Sequence, residues 1–375
     1  MRVGLMQEGH CPTGTPRHQR FREMIDEAVL ADEVGFDIYG NGEQHFGRFT
    51  AIVSSPEVTH SYIAARTSRI RLRAMSVNML AFNHPIRIAE QIATLDVISE
   101  GRAELGGARS NNPWTLEAFG IDATETRSHR DEALRVIGEA LALEEFSHEG
   151  ELYSIPPRSI APRPVQTPAP PIHISATGVD SHRNAAAFGI GVMTGNSILG
   201  WEYAQSCIDA YKSSIDRADP VTGETVNRLG FFSTGVGCFA TEEEAKERAG
   251  PVGLRFVEVV MSIYQDLSTM SPDYEYLGQI TRVRDRMTDL DFLMDAAPYI
   301  ALGTPDDLIA HATRLHAMGA DDVLWRVDGM GHEHNMASIE MIGRHVIPVL
   351  HDLPEHSNAT PAARWEHQRE EVTES

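Results

Sequence analysis

Between residues 68 and 120 the pattern of hydrophobic positions changes most clearly between the short apolar runs of strands and the spacing of three and four residues typical of a helix. Residues 70–77 form a short, largely apolar run bounded by loops, which predicts a buried strand. A helix should begin at His84-Pro85, because proline is tolerated in a first helical turn. Its apolar residues recur at spacings of three and four, namely Ile88, Ile92, Leu95 and Ile98. Residues 103–108 form a second apolar run, so the segment predicts a β-α-β unit with parallel strands.

The same alternation of short apolar runs and amphipathic stretches continues through most of the chain. Eight strands are predicted, over residues 2–7, 36–40, 70–77, 103–108, 172–176, 191–194, 229–236 and 322–327. Helical patterns separate them, for example over 17–34, where Phe21, Ile25 and Ala28 indicate an apolar face. This order predicts an α/β fold, a (β/α)8 TIM barrel with insertions. A doubly wound open sheet is the alternative, but residues 9–16 lack the glycine order of a dinucleotide-binding turn.

A single barrel domain over residues 1–353 accounts for this pattern. Residues 148–171 are rich in proline and predict an extended insertion before the fifth strand. Residues 265–296 are acidic, contain several methionines and fit no regular unit, so we expect a long rim loop that could act as a lid. The polar stretch 354–375 should form a loose C-terminal tail.

Composition and charge limit the classes of partner. The formal net charge of −22 repels nucleic acid and anionic membranes, and no apolar run is long enough to span a bilayer. The cysteines, Cys11, Cys207 and Cys238, form neither a disulfide framework nor a zinc-binding spacing. His332 and His334 have no matching ligands nearby in the sequence, so no metal is expected. The chain also starts directly with a strand and no signal segment, and we expect a cytoplasmic protein.

A glycine-arginine turn, Gly106-Gly107-Ala108-Arg109, ends the strand predicted at 103–108. Glycine lets the backbone approach a ligand closely, and arginine can bind a phosphate or a carboxylate through two hydrogen bonds. The carboxyl ends of the strands meet at one rim of a βα-barrel. The turn therefore predicts a binding site at that rim.

Five segments in chain order together point to a known family. They are EQHF at 43–46, HPIR with the later LD and GR at 84–102, GGAR at 106–109, PPIHISATG at 170–178 and GTPDDLIAHATRLHAMGADDV at 303–323. The chain resembles the bacterial luciferase-like monooxygenases in these segments, and the resemblance extends over about residues 1–350. It implies a TIM barrel that holds a flavin at its carboxyl rim, either reduced FMN or, in sister groups, the deazaflavin F420.

The resemblance also implies an activity and partners. For an FMN-dependent member it implies a two-component monooxygenase, in which a separate flavin reductase supplies reduced FMN. Reaction with O2 gives a flavin C4a-peroxide, which oxygenates a small organic substrate, and the protein is expected to be a homodimer. Two alternatives are an F420-dependent oxidoreductase that transfers hydride without O2 and a non-catalytic flavin-binding protein.

Specific residues match the positions that bind the flavin in the resembling family. Arg109 matches an arginine that contacts the flavin phosphate, and Arg127 matches a second one, although Arg130 is close enough to compete. The turn around the phosphate corresponds to Thr177, Gly178 and Ser181. Ser76-Val77 corresponds to a strand end that often carries a non-proline cis peptide beneath the flavin ring.

One departure from the family concerns the catalytic histidine. Luciferases carry two histidines after the glutamate of this motif, and the first of them is catalytic; here Gln44 occupies that position and only His45 remains. An amide cannot act as a general base near neutral pH, whereas an imidazole can. His45 is therefore the catalytic candidate.

Overall fold

A closed barrel of eight parallel strands forms the centre of the molecule. The computed structural model describes residues 1–47, 51–110, 112–195 and 199–356, and for 279–283 it describes the backbone without the side chains. The strands are β1 (Arg2–Met6), β2 (Ile38–Gly42), β3 (Arg71–Asn78), β4 (Ala103–Ala108), β5 (Phe146–Glu149), β6 (Ser154–Arg158), β7 (Ile172–Ala176), β8 (Gly191–Thr194), β9 (Leu229–Ser233), β10 (Gly235–Cys238), β11 (Ile300–Gly303) and β12 (Asp322–Arg326). Around the barrel the order is β1, β12, β9, β8, β7, β4, β3 and β2, which pairs again with β1.

Helices surround the barrel and connect its strands. They are α1 (Arg17–Val34), α2 (Pro56–Ala64), α3 (Pro85–Ile98), α4 (Pro113–Ala118), α5 (Thr126–Ala142), α6 (Val179–Ala187), α7 (Trp201–Lys212), α8 (Glu242–Leu267), α9 (Leu290–Ala296), α10 (Pro305–Met318), α11 (His332–Met341) and α12 (Ile347–His351). Shorter 3₁₀ segments lie at Ile215–Arg217 and Pro272–Arg286, and a π-helical turn lies at Ile342–Val346. Parallel strands that are buried on both faces need such a helical cover.

The predicted TIM barrel is confirmed, and each of the eight predicted strands lies in it. The seventh predicted strand was too long, because the barrel strand β9 ends at Ser233 and Gly235–Cys238 forms a separate strand that pairs with β11 outside the barrel. Within the proline-rich insertion, β5 and β6 form an antiparallel hairpin. The tail predicted at 354–375 lies outside the described residues from position 357 onward.

The prediction that residues 265–296 fit no regular unit is wrong. Helix α8 runs to Leu267, a 3₁₀ segment follows at Pro272–Arg286, and α9 occupies Leu290–Ala296. The 3₁₀ segment escapes recognition because its period of three residues per turn does not produce the stripe of an α-helix. The insertion is therefore a structured helical layer packed on α8.

The core faces of the helices agree with the sequence in part. Ile88, Ile92 and Leu95 of α3 are buried as predicted, but Ile98 is 50% exposed at the end of the helix. In α1 the predicted residue Ala28 is buried and Phe21 and Ile25 pack against the core, but the buried face also includes Arg20 and Glu27. These two side chains form an ion pair of 2.8 Å, so paired charges occupy positions that the hydrophobic pattern assigned to solvent.

The amino-terminal end of the barrel is closed by a buried ionic layer. Arg73 donates hydrogen bonds to Glu104 at 2.6 Å and to Asp322 at 3.1 Å, and Arg2 pairs with Asp322 at 2.8 Å. Although burial alone would raise it, the pKa of Asp322 lies far below its ordinary value because Arg2, Arg73 and Arg228 surround it. Charges at this end stabilise the barrel, which leaves the carboxyl end for a binding site.

Candidate active site at the carboxyl end of the barrel

A cavity of about 1330 Å³, measured out to its opening, lies at the carboxyl ends of the strands. We call it the central cavity. Its polar lining comes from residues at or just after strand ends, such as Glu43, Ser76, Arg109, Ser175 and Thr177. Its apolar lining includes Met6, Met75, Met193 and Phe232, which belong to four barrel strands.

A β-bulge in β3 shapes the floor of the central cavity. Asn41 of β2 pairs with Ala74, but the next residue, Gly42, pairs with Ser76, so β3 contains an extra residue at Met75. Gly106 is required opposite this bulge, because a side-chain carbon there would collide with the Ala74 carbonyl oxygen. Bulges of this kind redirect side chains next to binding sites.

Of the predicted pair Ser76-Val77, only Ser76 lines the central cavity, whereas Val77 is packed in the core. The expected cis peptide between them is wrong for this structure. The cis bonds of the described residues are Ala161-Pro162 and Thr167-Pro168, so the bond between Ser76 and Val77 is trans. The bulge, which the sequence does not reveal, supplies the change of strand direction there.

Two of the predicted phosphate-binding arginines meet at one end of the site. Arg109 Nη1 and Arg127 Nε both donate to Asp273 Oδ2, at 3.1 Å and 2.7 Å. Arg109 lines the central cavity, whereas Arg127 lines an adjoining surface pocket, which we call the outer pocket. Ser181 lines both spaces, and the shared bond to Asp273 Oδ2 shows that the two arginines can reach one anionic oxygen.

Arg130, the competing candidate, also lines the central cavity and is 1% exposed. Its guanidinium donates to Asp131 at 2.8 Å and to Asn184 at 2.7 Å. Burial lowers its pKa, which Asp131 partly offsets, and the nearby Arg109 and Arg127 lower it further. Three guanidinium groups thus lie close together, which favours an anion between them.

The amino terminus of α6 completes this end of the site. Gly178 is the N-cap residue of α6, Thr177 precedes it, and Ser181 lies in the first turn. His182 supports the turn, since its Nδ1 donates to the Gly178 carbonyl at 2.8 Å while its Nε2 accepts from the Thr194 hydroxyl at 3.0 Å. Burial lowers the His182 pKa to about 4, so the ring is neutral. A helix amino terminus attracts anions through its free N–H groups.

The start of the 3₁₀ segment covers the same end of the site. The Tyr274 ring centroid lies 4.1 Å from the Arg109 guanidinium carbon, and the Tyr274 hydroxyl is 3.1 Å from the Thr126 hydroxyl. The Tyr276 hydroxyl is hydrogen-bonded to the Thr177 hydroxyl. A Cβ atom added to Gly178 would lie 3.1 Å from the nearest atom of the Tyr276 ring, so the two residues are in close contact. The segment that carries Asp273 therefore contacts Arg109, Arg127 and the turn at Thr177-Gly178.

His45, the predicted catalytic residue, does not line the central cavity. Its Nε2 is 2.7 Å from Glu43 Oε1, and its ring packs edge-on against Phe82 and Phe119. Glu43 lines the cavity and accepts a hydrogen bond from the Asn78 N–H at 2.8 Å. The contact with Glu43 gives His45 one route by which it could influence proton transfer in the cavity.

Two charged residues of the rim were missed by the sequence analysis. Glu8 lies two residues after β1 and lines the central cavity, and burial raises its pKa. Arg326 is the last residue of β12 and lines a second cavity beside the first. Charged residues at the carboxyl ends of barrel strands are a usable signal, but the family motifs do not include these two.

A parallel (β/α)8 barrel with a cavity and clustered arginines at its carboxyl rim has the architecture in which TIM-barrel enzymes carry their active sites. The family model for the luciferase-like monooxygenases matches residues 1–322, and the chain belongs to this family. This membership confirms both the predicted resemblance and the predicted enzyme class, a flavin-dependent oxidoreductase.

Known relatives and solved structures agree with this assignment. The oxygenase component of flavin-dependent trigonelline monooxygenase from Acinetobacter baylyi is 26% identical over 341 residues, which covers 88% of this chain and 90% of the relative. The monooxygenase RslO1 from Streptomyces bottropensis is 24% identical, with a TM-score of 0.77 and coverage of 93% and 100%. The oxygenating constituent of 3,6-diketocamphane monooxygenase from Pseudomonas putida, solved with FMN, is 20% identical, with a TM-score of 0.71 and coverage of 93% and 98%.

These two solved structures are less than 25% identical to the chain, so they show the shared fold alone. The same fold occurs in F420-dependent enzymes, including a secondary alcohol dehydrogenase, so the fold does not select between the two cofactors. Within the described residues, no helix combines the length and apolar character that crossing a membrane requires.

Proposed function

We propose that the protein is the oxygenase component of an FMN-dependent two-component monooxygenase acting on a small organic molecule. The observation that carries the proposal is the cluster of Arg109, Arg127, Ser181 and the α6 amino terminus at one end of the central cavity. A dianionic phosphate is matched by two guanidinium groups and a helix amino terminus. Reduced FMN, when bound, supplies the electrons that activate O2.

The residues of the cavity fit an FMN molecule along its length. The arginines and Ser181 would hold the phosphate, and Thr177 and Gly178 would complete the turn around it. Ser76, at the bulge of β3, and the flexible side chains of Met75 and Met193 would lie beneath the flat ring. Methionine side chains adapt to such a surface and exclude water from it.

Gln44 and Glu43 are the groups of the EQHF motif that line the cavity. We propose that Glu43 accepts or supplies a proton there and that His45 holds and tunes its carboxylate through their 2.7 Å contact. In this proposal catalysis does not require a histidine at position 44, because the oxygen chemistry belongs to the cofactor.

The proposed partners follow from the family and from one relative. The Acinetobacter baylyi relative is named as an oxygenase component, which supports a separate flavin reductase for this protein. A homodimer is proposed from the resemblance to the family, and light scattering should give a mass of about twice 41.4 kDa. The free thiols of Cys11, Cys207 and Cys238 support a reducing, cytoplasmic location.

The decisive experiment compares cofactors under turnover conditions. The purified protein is titrated with reduced FMN and with reduced F420, and O2 uptake is recorded with a reductase present. Binding of FMN together with substrate-dependent O2 consumption is expected. Tighter binding of F420 with hydride transfer and no O2 uptake would identify an F420-dependent oxidoreductase, and binding of FMN without turnover of any candidate substrate would identify a flavin-binding protein.

A further inference from the structure

A second cavity lies directly beside the central cavity, and we call it the side cavity. Both cavities are lined by Glu8, Gln44, Asn112, Phe256 and Val260, so they are neighbours across these residues. One wall of the side cavity is apolar and comes from α8, through Val252, Phe256, Val259, Val260 and Ile263. The polar lining includes Arg326 and His10.

Arg326 is a buried residue of the side cavity with an unused hydrogen-bond donor, although its guanidinium carbon lies 4.7 Å from the centroid of the Phe256 ring. It is 5% exposed, yet its nearest carboxylate oxygens, on Glu8 and Asp328, lie 3.6 Å and 4.0 Å away, beyond hydrogen-bond length. Its Nε has no hydrogen-bond partner within the described residues. By contrast, the buried Arg20 donates to Glu27 and to Asp328 at 2.8–3.2 Å. A buried guanidinium whose N–H groups lack acceptors lowers the stability of the fold unless a ligand supplies those acceptors.

One carboxylate near Arg326 is engaged elsewhere, and the pKa of the other is raised. Asp328 accepts hydrogen bonds from Arg20 at 3.2 Å and from the N–H groups of Glu8 and His10 at 3.0 Å and 2.9 Å. Burial raises the pKa of Glu8, and the charge on Asp328 raises it further, against the opposing effect of Arg326. Both acids lie beyond hydrogen-bond length from Arg326, so its Nε remains available to an acceptor on a ligand.

We propose that the side cavity binds the organic substrate and that this substrate is a small carboxylic acid. Its carboxylate would pair with Arg326, and its apolar body would lie against the α8 wall with one edge directed past Phe256 toward the central cavity. A planar guanidinium binds a carboxylate through two parallel hydrogen bonds, which fixes the orientation of the molecule. The role of this molecule as the substrate rests on the oxygenase function proposed above. Binding of a carboxylate in the side cavity does not depend on the flavin.

The test uses benzoate and benzamide, which have nearly the same shape and differ in charge. Calorimetric titration of the full chain, with and without FMN, should show that benzoate binds roughly tenfold or more tightly than benzamide. R326M should abolish this preference by weakening benzoate alone, and R326K should retain part of it. R344M removes the same charge from an exposed position that lines neither cavity, and it should behave as the wild type.

A second variant locates the binding site. Val259 lines the side cavity and is absent from the lining of the central cavity, so V259W should weaken both probes while FMN affinity stays unchanged. The proposal is overturned if wild-type protein binds benzoate no better than benzamide, or fails to bind millimolar benzoate. It is also overturned if folded R326M keeps the preference. If R326M does not fold, an undiminished preference in R326K, or unchanged binding of both probes by V259W, overturns the proposal. If the wild-type protein prefers benzoate to benzamide but does not bind FMN, the proposed oxygenase function is refuted and the carboxylate site stands.

Discussion

Asp273 should compete with the flavin phosphate for the same arginines. Its carboxylate accepts hydrogen bonds from Arg109 at 3.1 Å and from Arg127 at 2.7 Å, and these are the two arginines assigned to the phosphate. The pKa of Asp273 is lowered by these arginines against the effect of burial, so the carboxylate is charged at neutral pH. We expect D273N to bind FMN more tightly than the wild type, because the variant removes the charge that the phosphate has to displace.

The expected magnitude follows from the geometry. Hydrogen bonds to charged groups contribute about 1.5–3 kcal/mol each when buried, and exposed ion pairs contribute about 0.2–1 kcal/mol. The Asp273 and Arg127 side chains are about one-third exposed, at 31% and 32%, while Arg109 is 9% exposed. An intermediate value of about 1–2 kcal/mol for the pair corresponds to roughly five- to thirtyfold tighter FMN binding.

The assay measures equilibrium binding of FMN and riboflavin by quenching of flavin fluorescence. Riboflavin has no phosphate, so its affinity should be the same for D273N and the wild type. E258Q removes the same charge from an exposed residue of α8 that lines neither the central cavity nor the outer pocket, and it should change neither affinity. Limited proteolysis of the 3₁₀ segment should also show protection by FMN if the segment acts as a lid. An FMN affinity of D273N equal to or weaker than the wild type, or an equal gain for riboflavin, would refute the reasoning.

Three further predictions concern other parts of the site and the core. R109A should weaken FMN binding by about 1–3 kcal/mol with little effect on riboflavin, as measured in the same titration, and equal affinity for FMN would exclude Arg109 from the site. H45A and E43Q should both lower turnover about a hundredfold at saturating flavin, and turnover of H45A within twofold of the wild type would make His45 purely structural. Burial lowers the His60 pKa to about 3, whereas the unfolded chain titrates near 6.5. Between these values the unfolded state binds a proton that the folded state does not. The fold is therefore fully stable in this respect above pH 6.5 and loses stability as the pH falls toward 3. We compare the free energy of unfolding at pH 7.5 and at pH 5, measured by urea titration, for each protein. The decrease should be about 1–2 kcal/mol smaller for H60F than for the wild type. Equal decreases would contradict a buried neutral ring.

The sequence by itself determined the barrel and one end of the site. Alternating strand and helix patterns fixed the order of the eight strands, since each short apolar run needs a helical cover on a parallel sheet. The placement of Arg109 and Thr177 at a common rim followed from the same rule, because both come directly after barrel strands. Local patterns and chain order contain this information.

Tertiary structure alone decided the features that depend on distant neighbours. Glu8 and Arg326 are 318 positions apart, and only closure of the barrel through β1 and β12 brings their side chains to 3.6 Å. The bulge at Met75 and the engagement of Arg127 by Asp273 likewise depend on partners from other elements. In α1, the pairing of Arg20 with Glu27 places charges in the core against the hydrophobic pattern. A sequence pattern records the average environment of each side chain, whereas pairing of individual charges depends on the three-dimensional contact itself.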